Sequence, residues 1–528
     1  MSRDAGTIAM SGTSGHLTGD EVLPRSEASV AGETVGGQAA RGAVWTLVFS
    51  ILGKCATLGC QIGLAWFLTP EHFGLASLAL SVTALTSITS GTNLRNILIQ
   101  RRACFEAEAG QVFWLSLSLS AGAGLLLAAS ASAVARVFNE PRIVPLLYLL
   151  AIAAPFQSLP TIYSAALGRG LRFRDTGGIH LIGAIVQSLM AVFLAWRGFE
   201  VYSLILPVLA VAVVMAVAYR ITAGKIPIEA PRPFRWGAML SPMTWLMANS
   251  LLVILQTYGV NLVIVSVEKN ITTAGYYAWG YAVASQAVFL LATNLQGVLF
   301  PVLSRLQHEP DRQYDAFRQS CRTLLALVVP LCLAQVIFAP KIIPLIFQDR
   351  WSDAVPVVQW LSAGLCLQPL ATLTTSLLLA RGDYRTLAAL NGAFACCIPI
   401  AAWIGTLLGH QHEIAICVGT CLLMLNLVSG VVAAHVIGRP FHELAPSIAL
   451  PVFVGVAAAG GTWWFGRLLG PGSSLRDIIL PALAGTMLYF ALMRALLPQV
   501  ISGVIVRFRH RAISPQSAGL NAKASLSA

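Results

Sequence analysis

The segments GTNLRNIL (91–98) and ATNLQGVL (292–299) share the tripeptide Thr-Asn-Leu at a spacing of 201 residues, and each follows a long apolar run. Gly74 and Gly275 are separated by the same 201 residues, and the register from each glycine to its tripeptide contains no gap. A chance match of three residues is the alternative explanation. The ungapped register over the flanking positions favours an internal repeat.

The composition indicates a chain that lies largely within a membrane. Of its 528 residues, 56% are hydrophobic and only 11% are charged, and the mean hydropathy is +0.74. Soluble domains carry about 25% charged residues, and apolar runs of about 20 residues are typical of membrane-spanning helices. We therefore predict an all-α polytopic membrane protein. Its fourteen predicted helices cover residues 43–68, 74–94, 112–135, 143–168, 177–196, 201–222, 238–266, 274–304, 321–340, 354–380, 386–408, 413–437, 445–466 and 478–498.

A polar, proline-rich linker divides the predicted helices into two groups of six. Because each group has an even number of helices, both groups start on the same side of the membrane, which predicts a parallel repeat about an axis along the membrane normal. Two further helices follow the second group. The predicted organisation is a disordered tail (1–40), an N-terminal lobe (41–222, the N-lobe), the linker (223–236), a C-terminal lobe (237–437, the C-lobe), two additional helices (438–498) and a basic tail (499–528).

The formal charge of +12 gives an orientation signal rather than evidence for nucleic-acid binding. Lysine and arginine are concentrated in both tails and in the loops on the same side of the predicted topology. The positive-inside rule then predicts that both termini lie in the cytoplasm. We expect the chain to lie in the inner membrane of the cell. Basic loops at that surface also attract anionic membrane lipids.

One ionisable residue, Lys54, lies deep in a predicted span, whereas the 22 acidic residues fall in tails, loops or helix edges. A cation in the middle of a bilayer costs roughly 2.5 kcal/mol or more unless it faces water or a partner. We expect Lys54 to line a cavity that accepts an anionic substrate. The alternatives are a lysine that extends to the membrane surface, a neutral lysine, or a first helix that starts later in the chain.

Amide side chains recur at matching positions in the first helix of each lobe. Gln61 follows Lys54 by seven residues, and Asn249 and Gln256 have the same spacing in the helix over 238–266. Such faces would line a polar space between the lobes and bind substrate. Hydrogen bonding between neighbouring helices is an equally good explanation for asparagine and glutamine in a bundle.

The two Thr-Asn-Leu segments predict a mouth on the cytoplasmic side. Asn93 and Arg95 in the first segment correspond to Asn294 and Gln296 in the second. These residues would receive a phosphate group as it enters the space between the lobes. For Arg95, anchoring by the positive-inside rule is the simpler explanation.

The sequence offers no grouping of residues typical of catalysis or of a bound cofactor. It shows no nucleophile with an adjacent base, no glycine-rich phosphate loop, and no Cys/His spacing of a metal site among its ten cysteines. We expect a protein that is not an enzyme and that uses no metal or cofactor.

Four motifs resemble a known family. These are FLTPEHFGLASLAL (67–80), ILIQRR (97–102), FNEPRIVPLLYLLAIAAPFQSL (138–159) and AALGRGLRFRD (165–175). They are similar to the Wzx-type polysaccharide flippases of the multidrug/oligosaccharidyl-lipid/polysaccharide (MOP) superfamily, and among these to the colanic-acid and succinoglycan exporters. The resemblance covers roughly residues 41–440.

The resemblance implies a MATE-like fold and a function in polysaccharide export. It implies flipping of an oligosaccharide linked to polyprenyl pyrophosphate across the inner membrane by alternating access, for exopolysaccharide, capsule or O-antigen synthesis. The expected partners are that substrate, membrane lipids and a polysaccharide polymerase with its chain-length machinery, and no nucleic acid. A drug or cation exporter of the same superfamily is the alternative, and a membrane-bound polysaccharide polymerase or ligase ranks last.

Overall fold

The structure is a computed structural model that describes residues 25–89, 105–170, 172–224, 236–289, 303–409, 411–468 and 476–496, and all regular elements in these ranges are helices. The helices are α1 (Arg25–Phe67), α2 (Pro70–Ala84), α3 (Phe105–Val137), α4 (Ile143–Ser158), α5 (Pro160–Arg169), α6 (Phe173–Trp196), α7 (Tyr202–Ala223), α8 (Trp236–Glu268), α9 (Ile271–Ala284), α10 (Pro310–Phe347), α11 (Ala354–Leu365), α12 (Gln368–Arg381), α13 (Tyr384–Leu408), α14 (Gln411–Ile437), α15 (Phe441–Leu468) and α16 (Arg476–Leu496).

The described residues contain fewer membrane spans than the fourteen that the sequence predicts. Within the described residues, 11 helical segments are long and apolar enough to cross a membrane, and α11 with α12 forms a twelfth span that bends by 42°. The predicted helices over 74–94 and 274–304 extend beyond the described residues. The count of fourteen therefore stays a prediction.

The first helix is longer than the sequence analysis expects. It begins at Arg25 in the structure, and the disordered tail over residues 1–40 stays a prediction. Extending an existing helix adds one hydrogen bond for each residue that is fixed, whereas starting a new helix is unfavourable. The membrane-spanning part of α1 therefore supplies a nucleus from which the preceding residues continue the helix.

Two equivalent helix starts set up the contact between the lobes. Thr69 and Asn270 directly precede α2 and α9, and they are 201 residues apart. The backbone N–H of Thr69 donates to His72 Nδ1 at 3.4 Å, and the backbone N–H of Thr272 donates to Asn270 Oδ1 at 3.0 Å. Side chains that bond to the first turn of a helix fix where that helix begins. Each cap follows the preceding long helix closely, so α2 and α9 start at the same end of the bundle.

Close packing of α2 against α9 reproduces the spacing of the repeat. A methyl group on Gly74 would lie 1.9 Å from the carbonyl oxygen of Ile271, and one on Gly275 would lie 1.7 Å from that of Pro70. Ile271 and Pro70 are themselves 201 residues apart. The two contacts are therefore related by exchange of the repeats, as a twofold axis requires, and only glycine allows the backbones to approach this closely.

A tryptophan from the C-lobe closes the same end of the molecule. Trp351, which is 0% exposed, donates its indole N–H to the carbonyl oxygen of Ala65 at 3.0 Å. Its ring lies 4.5 Å from the ring of Trp279 and 5.3 Å from the ring of Phe73, measured between centroids. Arg350 adds a second bond across the lobes, from Nη1 to the carbonyl oxygen of Trp66 at 3.2 Å. We call the end of the bundle that holds these contacts the sealed end.

An ion-pair cluster stabilises the N-lobe at the sealed end. Arg142, just before α4, contacts Glu140 at 2.5 Å and Glu71 of α2 at 2.7 Å. The hydrogen bond from Arg142 holds the pKa of the Glu140 carboxyl below its usual value. The cluster joins the start of α2 to the start of α4.

Candidate functional site

Lys54 lies where the two lobes face each other. It is half-buried on α1, and its Nζ atom is 4.9 Å from the centroid of the Phe289 ring, which belongs to the C-lobe. A cation over the face of an aromatic ring is attracted by the negative charge density of that face. No carboxylate among the described residues forms an ion pair with Lys54. The ammonium group is therefore directed toward the C-lobe.

The second predicted residue of α1 also leaves a hydrogen-bonding group unused. Gln61 is half-buried two turns from Lys54, and its Oε1 atom is buried with no hydrogen-bond partner among the described residues. A buried amide oxygen without a partner is unfavourable by about 1–3 kcal/mol. Such an atom is typical of a site that a ligand or water completes.

The two predicted amides of α8 have different surroundings despite their matched spacing. The amide of Asn391 on α13 donates to Asn249 Oδ1 at 2.9 Å, which is the interhelical bond that the alternative explanation expects. Gln256 instead lines a C-lobe cavity of about 80 Å³ together with Phe289. Phe289 therefore contacts Lys54 and lines the same cavity as Gln256, whereas Asn249 is hydrogen-bonded to Asn391.

The predicted mouth on the cytoplasmic side consists of four residues of the two Thr-Asn-Leu segments. Asn93, Arg95, Asn294 and Gln296 lie outside the described residues. Their assignment stays a prediction.

Sequence reasoning missed interruptions in two predicted spans, one in each lobe. The span over 143–168 is interrupted only at Leu159, whose backbone stays helical, whereas the one over 354–380 bends by 42° between α11 and α12. Gln157 and Gln368 lie at the two breaks, 211 residues apart. The same spacing relates Pro145 to Pro356 without a gap. A proline-interrupted membrane helix, such as the one that bends before Pro369, is a recognised feature of transporter binding sites.

Each of these glutamines lines a cavity in its own lobe. The N-lobe cavity has a volume of about 330 Å³, and Gln157 lines it together with His180 and Gln187. The phenol of Tyr219 lies 3.2 Å from His180 Nε2 in a hydrogen bond at its wall. Gln368 lines the C-lobe cavity, which also contains Gln256.

The two cavities combine hydrogen-bonding side chains with apolar walls. Amide, hydroxyl, aromatic and aliphatic groups make up the described lining, together with the imidazole of His180. Neither lining includes a carboxylate, a lysine or an arginine. The arrangement thus provides hydrogen-bonding groups for an uncharged polar group in each lobe, and Lys54 supplies a cation beside Phe289 of the C-lobe cavity.

Comparison with known proteins relates the chain to polysaccharide synthesis. A family model described as polysaccharide biosynthesis protein matches residues 64–356. The chain is 25% identical over 317 residues to the succinoglycan biosynthesis transport protein ExoT of Rhizobium meliloti (strain 1021), a match that covers 59% of this chain and 63% of ExoT. It is 22% identical over 426 residues to the lipopolysaccharide biosynthesis protein WzxC of Escherichia coli (strain K12), which covers 78% of this chain and 84% of WzxC.

Solved structures show the same fold at low sequence identity. The lipid II flippase MurJ in an inward closed conformation aligns with a TM-score of 0.71 and 11% identity, over 88% of this chain and 100% of MurJ. A multidrug resistance MATE family transporter in an inward-facing conformation aligns with a TM-score of 0.61 and 14% identity, over 75% of this chain and 98% of the transporter. The predicted all-α, MATE-like fold is confirmed.

Proposed function

We propose that the chain, which belongs to the polysaccharide biosynthesis protein family, flips an oligosaccharide linked to polyprenyl pyrophosphate across the inner membrane. The predicted resemblance to the Wzx-type flippases is confirmed by the family and by the relatives ExoT and WzxC. On this proposal the chain is a transporter in exopolysaccharide, capsule or O-antigen synthesis, and not an enzyme.

One observation carries the proposal, namely the position of the Lys54 ammonium group between the lobes, 4.9 Å from Phe289. A pyrophosphate that crosses a membrane needs a cationic partner in a medium of low dielectric constant, where charge pairing is strong. Lys54 exchanges its contact with the aromatic face for the pyrophosphate oxygens. The neutral cavities accept the sugar hydroxyls, and the polyprenyl chain stays in the surrounding lipid.

The contacts at the sealed end support alternating access between two states. The pairs Gly74–Ile271 and Gly275–Pro70 are related by a local twofold axis, and the N-lobe and C-lobe rock against each other as rigid units at this contact. Trp351 leaves the α1–α2 corner when the lobes separate there. The substrate enters at the opposite end, near Asn93, Arg95, Asn294 and Gln296, and leaves through the opened sealed end.

The orientation of this cycle follows the charge distribution. With both termini in the cytoplasm, the sealed end faces the periplasm and the linker over 223–236 lies on the cytoplasmic side. A lipid-linked oligosaccharide is then received from cytoplasmic synthesis and released to periplasmic polymerisation, where a polymerase and its chain-length machinery are the expected partners.

A drug or cation exporter of the MATE type is the second candidate. Its only support is the fold, which the chain shares with a MATE family transporter. A cationic substrate calls for a carboxylate in the cavity. The described lining of both cavities is free of carboxylates, and the cation at Lys54 repels such a substrate.

The proposal is tested in cells that lack this protein and carry the gene on a plasmid. We expect Lys54→Gln to abolish surface polysaccharide, Lys54→Arg to retain much of it, and the neighbouring Cys55→Ala to behave as wild type at equal expression. Normal surface polysaccharide with Lys54→Gln would remove Lys54 from the mechanism. If the wild-type gene restores resistance to a cationic dye instead of polysaccharide, the second candidate is correct.

A further inference from the structure

Helix α10 contains three prolines, Pro330, Pro340 and Pro344, and the helix continues through all of them. A proline has no backbone N–H, so the carbonyl oxygen four residues earlier loses its partner within the helix. The corresponding helix of the N-lobe is α3, the third predicted span of its lobe as α10 is of the C-lobe, and its sequence contains no proline. The interruptions are therefore particular to α10 and not a property of the repeat.

The carbonyl that Pro340 leaves without a partner is bonded by another helix. It belongs to Val336, and it accepts a hydrogen bond from Nε2 of Gln359 on α11 at 2.8 Å. In a membrane, proline within a helix is tolerated where a neighbouring helix pairs the free carbonyl in this way. Proline is also where membrane helices bend. Gln359 therefore restrains α10 at a point where the helix is able to bend.

The earlier interruption, at Pro330, is held on both sides. The phenol of Tyr489 on α16 donates to the carbonyl oxygen of Ala326, which Pro330 leaves without its partner in the helix. Beyond Pro330, the Gln335 amide donates to a backbone carbonyl of α9 at 3.0 Å and accepts from Ser362 of α11 at 3.2 Å. These bonds fix the middle of α10 in the C-lobe, so Pro340 is the place from which the rest of the helix can move.

The segment beyond Pro340 carries the contacts that close the sealed end. We call residues 341–351 the arm. Its Ile343 and Phe347 are buried in an apolar cluster together with residues of α1 and α2. At its end, Trp351 and Arg350 donate to backbone carbonyl oxygens of α1. The arm is thus a part of the C-lobe that packs against the N-lobe, and its position decides whether these contacts form.

Gln359 holds the arm from a rigid support. Its helix, α11, packs closely against α14 of the same lobe. A methyl group on Gly364 would lie 2.4 Å from the carbonyl oxygen of Gly419, and one on Gly419 would lie 2.4 Å from that of Trp360. Backbones in such contact do not move apart when a neighbouring helix bends. The side chain of Gln359 therefore stays in place while the arm moves relative to it.

We infer that Gln359 is a positioning residue for the sealed end, whose hydrogen bond to the Val336 carbonyl holds the arm against the N-lobe. Opening of the sealed end bends α10 at Pro340 and breaks this bond. The lobes still rock as units, and the arm sets how easily their contact at Trp351 is lost. The inference rests on the alternating access of the proposed function and not on the identity of the substrate.

The test measures the position of the arm in the full-length protein in nanodiscs. Spin labels on Asp349 of the arm and Arg136 of α3, both exposed, report their distance by pulsed electron paramagnetic resonance in a background without native cysteines. We expect Gln359→Leu to raise the ratio of long to short distances about two- to tenfold, the size of one net hydrogen bond. Tyr489→Phe removes a bond of the same kind at the interruption that is held on both sides, and it should leave the ratio as in wild type.

Proline substitutions separate positioning from a general loss of stability. Pro340→Ala supplies a backbone N–H to the Val336 carbonyl, so combining it with Gln359→Leu should return the ratio to the wild-type value. Alone it adds a bond that bending must break, and it should lower the ratio below wild type. Pro330→Ala adds the same N–H at the earlier interruption, and it should not rescue Gln359→Leu.

The outcomes distinguish this inference from the proposed function. A wild-type ratio with Gln359→Leu, equal rescue by the two proline variants, or a ratio that Pro340→Ala does not lower would overturn the role of Gln359. Failure of wild-type protein to move a lipid-linked oligosaccharide in liposomes, while the ratios change as expected, would overturn the proposed substrate and support the positioning role. If neither wild type nor any variant populates long distances, the sealed end does not open, and both alternating access and this inference fail.

Discussion

Replacement of Gly275 by alanine is expected to open the sealed end. The added methyl group would lie 1.7 Å from the carbonyl oxygen of Pro70, about 1.7 Å closer than the 3.4 Å at which ordinary van der Waals contact begins. Because the obstacle is backbone, no rotation of a side chain relieves the clash. The lobes must separate at this point, or the helix must shift.

The size of the effect follows from the cost of overpacking. Inserting a methyl group into a closely packed contact destabilises it by about 1–3 kcal/mol. This penalty applies only to the state in which α2 and α9 touch, so it shifts the balance of the two states about 5- to 150-fold toward the open one. By the local twofold axis, Gly74→Ala should act in the same direction with a similar magnitude.

Pulsed electron paramagnetic resonance measures the shift directly. Spin labels on Arg136 and Val267, which are exposed at the sealed-end termini of α3 and α8, report the distance between the lobes in a background without native cysteines. Gly275→Ala should move the distance distribution to longer values. Gly59→Ala adds the same methyl group on α1 where nothing lies within 4 Å, and it should leave the distribution as in wild type.

A wild-type distance distribution for Gly275→Ala, together with an unchanged melting temperature, would refute the reasoning. It would mean that the backbones of α2 and α9 are not in contact at Gly275. The local twofold axis that relates the two lobes would then not pass between these helices.

Three further perturbations test other parts of the structure. Trp351→Phe keeps the ring but loses the indole hydrogen bond, so it should open the sealed end less than Trp351→Ala does in the same distance measurement. Asn249→Leu leaves the Asn391 amide without its acceptor and should lower the stability by about 1–3 kcal/mol in thermal unfolding, whereas the double leucine variant should recover part of the loss. The Arg142 hydrogen bond depresses the pKa of Glu140, so its ionised form stabilises the fold above about pH 4.3. The difference in melting temperature between wild type and Glu140→Gln should therefore be largest at neutral pH and vanish as the pH falls through the depressed pKa.

The sequence predicts the fold well because hydropathy and repeat spacing are properties of the chain itself. The spacing of 201 residues that relates Gly74 to Gly275 recurs in the contacts of these two glycines. Lys54 stands out by its charge, since a cation in an apolar run demands an explanation wherever the helix lies.

The candidate site is less visible in the sequence, since it depends on contacts between helices. Asn249 and Gln256 lie on one helical face at the spacing found for Lys54 and Gln61. Asn249 nevertheless accepts a hydrogen bond from Asn391, whereas Gln256 lines a cavity. The broken helices escaped notice for a different reason. The register of the repeat changes from 201 to 211 residues before Gln157 and Gln368, so a comparison at the first spacing does not align them. A comparison of the two lobes that allows one insertion aligns Gln157 with Gln368.

The central claim is that Lys54, held between the two lobes, carries a pyrophosphate-linked sugar across the membrane. The most direct test is the movement of a fluorescent undecaprenyl-pyrophosphate oligosaccharide between the leaflets of liposomes that contain the purified protein. We predict that wild-type protein makes the sugar accessible to an added membrane-impermeant glycosidase and that Lys54→Gln, reconstituted in equal amount, does not. Equal movement with both proteins, or no movement with wild type, would contradict the claim.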